Sequence, residues 1–215
     1  MSEADFWKAV RENDVRTVGD LLSQTPDLTN ARIKGEAWVP GHVWDHKIRG
    51  QAPAPEDFPF SNAALHTAAV NEGRADLAKV LLQHGADVND IGFEPNKGLT
   101  PPLVLTAWEG DTDTLRVLLD FGADPNLPAS SETALYTAIE HTAPDKIELL
   151  LERGARHDVF TAAMIGDVDL VRRMIRAMPA LLRARSHKRG RTPAEEAAHY
   201  NRDDVVRFLQ NEGDG

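Results

Sequence analysis

His42, Asp45 and His46 fall within five residues of one another in the stretch AWVPGHVWDHKIRGQAPAPEDFPF, residues 37–60. If those residues form a helical turn, the four-residue spacing of the histidines brings both imidazoles to one face with Asp45 alongside, a spacing that can bind a metal ion. HVWDH only approximates the His-x-x-Glu-His pattern of some zinc peptidases: Asp replaces Glu and no third ligand is evident, so no metal is expected. A metal-free site is chemically simpler. A carboxylate and an imidazole under an aromatic lid can have shifted pKa values and act as acid and base, which makes His42, Asp45 and His46 the candidate catalytic residues. Trp38, Trp44 and, further along, Trp108 would suit an apolar or cationic ligand, because cations are attracted by the faces of indole rings. A loop held down by its aromatics, with solvated histidines, explains the same residues without any chemistry.

The segment that carries these residues must position them without a long helix. Pro40, Pro53, Pro55 and Pro59 deny it one, and a structureless connection of about 28 residues is uncommon in a compact array unless it is functional or disordered. Its Trp and Phe residues argue against disorder, since such side chains gain too much by burial. The expectation is an ordered, extended insert over residues 33–60. The loop DIGFEPNKG, residues 90–98 and including Phe93, would lie beside it, and together the two could close a groove into a pocket.

Composition narrows the classes. With 215 residues, 41% of them hydrophobic, the chain can bury a continuous core. The 34 acidic against 24 basic residues give a net charge of −10, which argues against nucleic acid and anionic membranes as partners. No apolar run approaches the roughly 18 residues of a membrane span, and the start MSEADFWKAV has no signal-like pattern, so a cytoplasmic location is expected. The absence of Cys excludes disulfides and thiolate catalysis.

The remainder of the chain repeats itself. LAKVLLQHGADVN (77–89), LRVLLDFGADPN (115–126) and IELLLERGA (147–155) are three versions of one phrase, and Gly85, Gly122 and Gly154 lie 37 and 32 residues apart. The stretches that begin at Asp5 and Asp158 align without a gap at an offset of 153. Each unit reads as two short helices, a first with small Ala residues and a second with a Leu-rich stripe, ended by a Gly that accepts a left-handed conformation. Thr100, Thr133 and Thr192 stand where a hydroxyl would cap the first helix, with Pro101 and Pro193 just inside. So short a pair cannot bury its apolar face alone; stacking supplies the core.

Here the sequence resembles the ankyrin-repeat proteins. Leu65, His66, Ala68, Ala69, Gly73, Gly85, Ala86, Asp87 and Asn89 fit that family's pattern, as do Thr100, Pro101, Ala107, Gly110, Gly122, Ala123, Asp124 and Asn126, and finally Thr192, Pro193, Ala197 and Ala198. The resemblance implies an all-α solenoid of stacked helix pairs in a single domain, with repeats at about 4–32, 61–92, 99–127, 132–156, 158–185 and 190–212. It also implies that His66 and the Gly-Ala-Asp residues are structural. Val104 and Tyr136 depart from the pattern's His, and residues 33–60 have no counterpart in it.

The resemblance places the binding surface on the concave side, at the loops and at the two variable positions after each Ala pair. Trp38, Trp44, Phe93, Trp108, Glu109, Glu140, His141, Met164 and Ile165 are the candidate contact residues. Trp108, Met164 and Ile165 put apolar groups where polar ones are usual, which marks a contact site if they are left outside. Two functions follow: a binding module for a protein partner, or a small-molecule enzyme or binder of isomerase, cyclase or lyase type under the insert. No nucleotide loop, nucleophile elbow or cofactor fingerprint is present, so no cofactor is expected, and the ligand of the second reading would be a small apolar or cationic molecule. Residues 153–191 hold ten Arg or Lys against three Asp, including RARSHKRGR at 183–191; such a region could receive an acidic partner or nucleic acid, but a solvated loop between repeats explains it more simply.

Overall fold

A computed structural model of the chain describes residues 2–33, 62–94, 98–129, 132–186 and 189–213. Among them twelve α-helices follow one another in pairs, within two compact units, Met1–Ser130 and Ser131–Gly215.

The first unit holds α1 (Glu3–Glu12), α2 (Val15–Gln24), α3 (Ala64–Ala69), α4 (Ala75–Gln83), α5 (Pro102–Trp108) and α6 (Thr112–Asp120). Each helix packs on its pair-mate; α1, α3 and α5 pack in one row, and α2, α4 and α6 in a second. Ala64, Ala68, Ala69 and Ala107, all fully buried, keep the first-helix row close-set. Phe6, Val18, Leu22, Leu77, Leu81, Leu115 and Leu118 fill the space between the rows. Each such side chain contributes about 1.5–3 kcal/mol by leaving water. Two short ladders edge this unit: β1 (Arg32–Ile33) pairs antiparallel with β2 (Asn62–Ala63), and β3 (Gly92–Glu94) with β4 (Gly98–Thr100). The first ladder brings the two ends of the insert together, Arg32 opposite Ala63.

The second unit repeats the plan with α7 (Ala134–Glu140), α8 (Pro144–Glu152), α9 (Val159–Ile165), α10 (Val168–Ala177), α11 (Pro193–His199) and α12 (Asp203–Gly213). Helix α9 packs against both α7 and α11, and α10 against α12. Val159, Ala162, Ala163, Val171, Ile175, Ala197, Val205 and Leu209 form one continuous core cluster.

The recurring Gly-Ala has a direct cause. Gly85, Gly122 and Gly154 adopt φ of 89°, 86° and 90°, a region costly for any side chain. The N–H of the following Ala86, Ala123 and Ala155 then turns back to the carbonyls of Leu81, Leu118 and Leu150, at 3.1, 3.0 and 2.9 Å, and so occupies acceptors the helix end would leave open. The Asp and Asn continue the same work. Asn89 and Asn126 N–H donate to the carboxylates of Asp87 and Asp124, and the Asp124 N–H donates to the Asn89 side-chain carbonyl at 2.9 Å, which ties one repeat to the next. Thr133 and Thr192 cap α7 and α11 as expected. Thr100 does not cap: it ends β4, fully buried, and Pro101 holds the cap position of α5 without a side-chain bond.

The offset of 153 holds in three dimensions. Helix α2 maps onto α10 end to end, Asp14 and Asp167 cap them, and Asn13 and Gly166 before them are left-handed, at φ of 58° and 88°. A 3-10 turn follows each, Pro26–Asn30 and Pro179–Arg183. An arginine from the next repeat seals each first helix. Arg74 donates to the carbonyls of Val10 (2.6 Å) and Arg11 (2.9 Å), and Arg202 to that of Met164 (2.8 Å), the residue equivalent to Arg11. Burial lowers the Arg74 pKa.

Candidate functional site

Helices α1, α5, α7, α9 and α11 each end on a residue that is partly or wholly exposed, whereas α3 ends on the buried Ala68 and Ala69. Trp108 closes α5 half-exposed, packed against Ala69, Val70 and Leu105, so its indole is fixed by the neighbouring repeat. Glu109, the C-cap of α5, is also half-exposed. Gly110 follows, and no other residue fits there: a Cβ would lie 2.4 Å from the Ala69 carbonyl oxygen. Close approach of α5 to α3 thus fixes where Trp108 stands.

In the second unit Glu140 closes α7 with its side chain only 11% exposed, and His141 beyond it is exposed. Ile165 closes α9 half-exposed. Met164 is a correction: it is fully buried and belongs to the core, not to a contact surface. The equivalent Arg11 is exposed at the same backbone position. A guanidinium is retained by water there, whereas the flexible thioether turns inward and fills space. His42, Asp45, His46, Trp38 and Trp44 lie outside the described residues. Phe93 takes part in β3, and its side chain is likewise outside what the structure describes.

The stretch 183–191 is not simply solvated. Its Ser186, Arg189 and Arg191 turn onto Glu196 of α11, a carboxylate with no exposure at all. Ser186 donates through Oγ to Glu196 Oε1 at 3.1 Å, and the Tyr136 hydroxyl approaches the same oxygen at 3.5 Å. The guanidiniums of Arg189 and Arg191 stand 3.7 and 3.6 Å from the other oxygen. Arg189 also pairs through its second nitrogen with Glu140. Backbone bonds close the turn: Ser186 N–H to the Arg191 carbonyl, and Gly190 N–H to the Ser186 carbonyl, both 2.8 Å.

Two carboxylates and two guanidiniums here neutralise one another, as burial of charge demands. The Tyr136 hydroxyl is pushed well above the usual tyrosine range by burial and by the negative charge of Glu196. Burial works against the charged form of Arg189, but its hydrogen bond with Tyr200 and the Glu140 charge prevail and raise its pKa. One oxygen of Glu196 accepts from Ser186 and the other stands at ion-pair distance from two guanidiniums without a hydrogen bond, so the carboxylate serves to hold the loop. What it positions is Arg189, drawn across from α11 to α7 beside Tyr200, whose ring meets His199 edge-on at 5.1 Å. Glu196, Arg189, Arg191 and Tyr136 escaped the reading of the sequence. One signal was there: Glu196 stands four residues after its cap Thr192, where Thr137 follows Thr133 and Leu105 follows Pro101, both buried.

A family model for ankyrin repeats in three copies matches residues 65–161. The human ankyrin repeat and KH domain-containing protein 1 is 42% identical over 101 residues, 46% of this chain and 4% of that protein. Residues 65–161 of the chain are ankyrin repeats. The Drosophila melanogaster ankyrin repeat and KH domain-containing protein mask is 40% identical over 101 residues, 46% of this chain and 2% of its own length. The Schizosaccharomyces pombe glycerophosphocholine phosphodiesterase gde1 is 45% identical over 60 residues, 27% of this chain and 5% of that protein. The chain therefore spans about one twentieth or less of each relative. Ankyrin repeats support a role in protein interaction. No helix among the described residues is long and apolar enough to cross a membrane.

Proposed function

We propose that this protein recognises a protein partner through the partly exposed ends of its first helices, the concave-face positions of the ankyrin-repeat family, flanked by its long loops. One observation carries the reading: Trp108, the largest apolar side chain among these positions, is half-exposed yet held by Ala69, Val70 and Leu105. A rigid aromatic already held on one side by the core loses little entropy on docking and suits an interface anchor. Glu109 follows it in the first unit, and His141 and Ile165 hold the corresponding positions of the second.

The test is retention of cellular proteins on the immobilised chain, followed by titration of whichever protein is recovered. Trp108→Ala should weaken that complex by about 2 kcal/mol or more, roughly 30-fold in Kd, with the fold retained by circular dichroism at the assay temperature. Ile165→Asp should weaken it through a buried charge. A partner that binds both variants as it binds the wild type would refute the concave reading.

A further inference from the structure

The duplication supplies an internal control for surface chemistry. Helix α2 with its 3-10 turn and α10 with its 3-10 turn have the same bounds at an offset of 153, so any difference between their exposed residues is not required by the backbone. The first copy exposes Asp20, Ser23, Thr25, Asp27 and Asn30. At the same positions the second exposes Arg173, Arg176, Met178, Ala180 and Arg183. A polar, mildly acidic edge has become a basic edge with an apolar centre.

Among the described residues, Arg173, Arg176 and Arg183 have no acidic partner, unlike Arg172 beside them, which pairs with Asp169 at 2.5 Å and lies over the Phe208 ring. Met178 is 57% exposed, the most exposed large apolar side chain described. The ground beneath is firm. Leu181 and Leu182 anchor the 3-10 turn in the core cluster, and the turn packs on α10, α11 and α12. Three guanidiniums with no acidic partner among the described residues, and one exposed thioether, all between residues 173 and 183 on a fixed scaffold, suit a surface for contact.

We propose that this edge of the second unit docks an acidic segment of another protein, with an apolar side chain of that segment seated on Met178 between carboxylates that meet Arg173, Arg176 and Arg183. Charge selects the occupant. Residues 153–191 hold ten of the 24 basic residues and three of the 34 acidic ones, so the patch stands on a chain that is otherwise strongly acidic. A long polyanion such as nucleic acid or an anionic bilayer feels the net charge of −10, while a short segment feels mainly the charges within a Debye length of about 10 Å. No aromatic side chain is present at these positions to stack a base. Met is soft and adaptable, suited to an aliphatic partner side chain. The surface is distinct from the one that holds Trp108.

The probe is a fluorescein-labelled peptide of about twelve residues, Glu, Asp and Ser with a central Leu, and a twin with Ser in place of Leu, read by anisotropy against the full chain at about 50 mM salt. The wild type should bind the Leu peptide about tenfold tighter than its twin. Met178→Thr should erase that preference and leave the twin's affinity unchanged. Arg173→Asp, Arg176→Ser and Arg183→Asn together should weaken both peptides by about 30-fold or more. These substitutions import residues the first copy already carries, so the fold should tolerate them, which circular dichroism checks. Trp108→Ala should bind both peptides like the wild type. Equal binding of the two peptides by the wild type, or indifference to the triple substitution, would overturn the proposal. So would tighter, equally variant-sensitive binding of single-stranded DNA or phosphatidylserine vesicles, which marks a general polyanion site, or self-association abolished by the triple variant, which marks a second copy as occupant.

Discussion

Replacing Glu196 by Leu strips the 183–191 turn of its central acceptor while keeping the apolar bulk. The wild-type carboxylate is wholly buried, with Ser186 bound at 3.1 Å and two guanidinium nitrogens at 3.6 and 3.7 Å. Removing one partner of a buried charge pair costs about 3–5 kcal/mol, because the remaining charge stays out of water uncompensated. The relief available here sets the place within that range. The Arg191 side chain is 32% exposed and can turn outward, and Arg189, 25% exposed, keeps Glu140, so a loss of about 3 kcal/mol is expected. Urea unfolding followed by circular dichroism would show it as a lower midpoint at unchanged slope. Amide exchange at Gly190 and Arg191 should quicken in parallel. Converting Arg189 and Arg191 to Leu and Glu140 to Gln in the same chain should restore stability to within about 1 kcal/mol of the wild type, since replacement of the whole group leaves no orphaned charge. If the single substitution costs under about 0.5 kcal/mol, or the combined one costs the sum of its parts, the buried pairing is not what holds the turn.

Two glycines should respond to Ala in opposite directions in the same unfolding assay. A Cβ at Gly110 would meet the Ala69 carbonyl oxygen at 2.4 Å and must separate α3 from α5, a loss of about 1–3 kcal/mol, whereas a Cβ at Gly19 in α2 finds only Val80 at an ordinary 3.6 Å and should gain about 0.5–1 kcal/mol; like signs would count against the packing described. Burial pushes the His157 pKa below its usual 6.5, although Asp158 and Asp167 pull the other way, so the folded state binds fewer protons than the unfolded one and stability falls as pH drops through and below 6.5. Asp5, Asp14 and Glu195 have lowered values and act only further down, below 3.8 to 4.5, so between about pH 7.5 and 5.5 the melting temperature should decline less in His157→Gln than in the wild type, and equal declines would remove His157 as the cause.

What the sequence revealed was whatever depends on neighbours along the chain. Gly85, Gly122 and Gly154 were recognisable because a left-handed residue after a Leu-rich helix is a local demand, and the structure puts each at φ near 90°. The gapless match between the stretches from Asp5 and Asp158 was legible for the same reason, and it extends to helix bounds, caps and 3-10 turns. Thr100 misled by one residue, since a Thr-Pro pair looks like a cap and first turn while β4 claims the Thr. Met164 misled more deeply. Position predicts which way a Cβ points, but a long flexible side chain chooses between core and water by its own chemistry, and Met and Arg at equivalent positions choose differently.

Glu196 was hidden because its partners are remote. Tyr136 lies 60 residues away, and the Arg189 contact to Glu140 spans 49. Locally, Pro-Ala-Glu-Glu after Thr192 reads as a capping box with an acidic first turn, and Glu195 does complete that box, its carboxylate accepting from the Thr192 N–H at 2.7 Å. The second carboxylate looks redundant until the loop before the helix is seen to fold over it. The same loop explains why a run of arginines survives so near the core: Arg189 and Arg191 are consumed internally, whereas Arg173, Arg176 and Arg183 are not, although all five lie in one basic stretch. Net charge by segment cannot separate these two groups. Only the position of Glu196 does: Arg189 and Arg191 hold a loop in place, while Arg173, Arg176 and Arg183 meet no acidic side chain among the described residues.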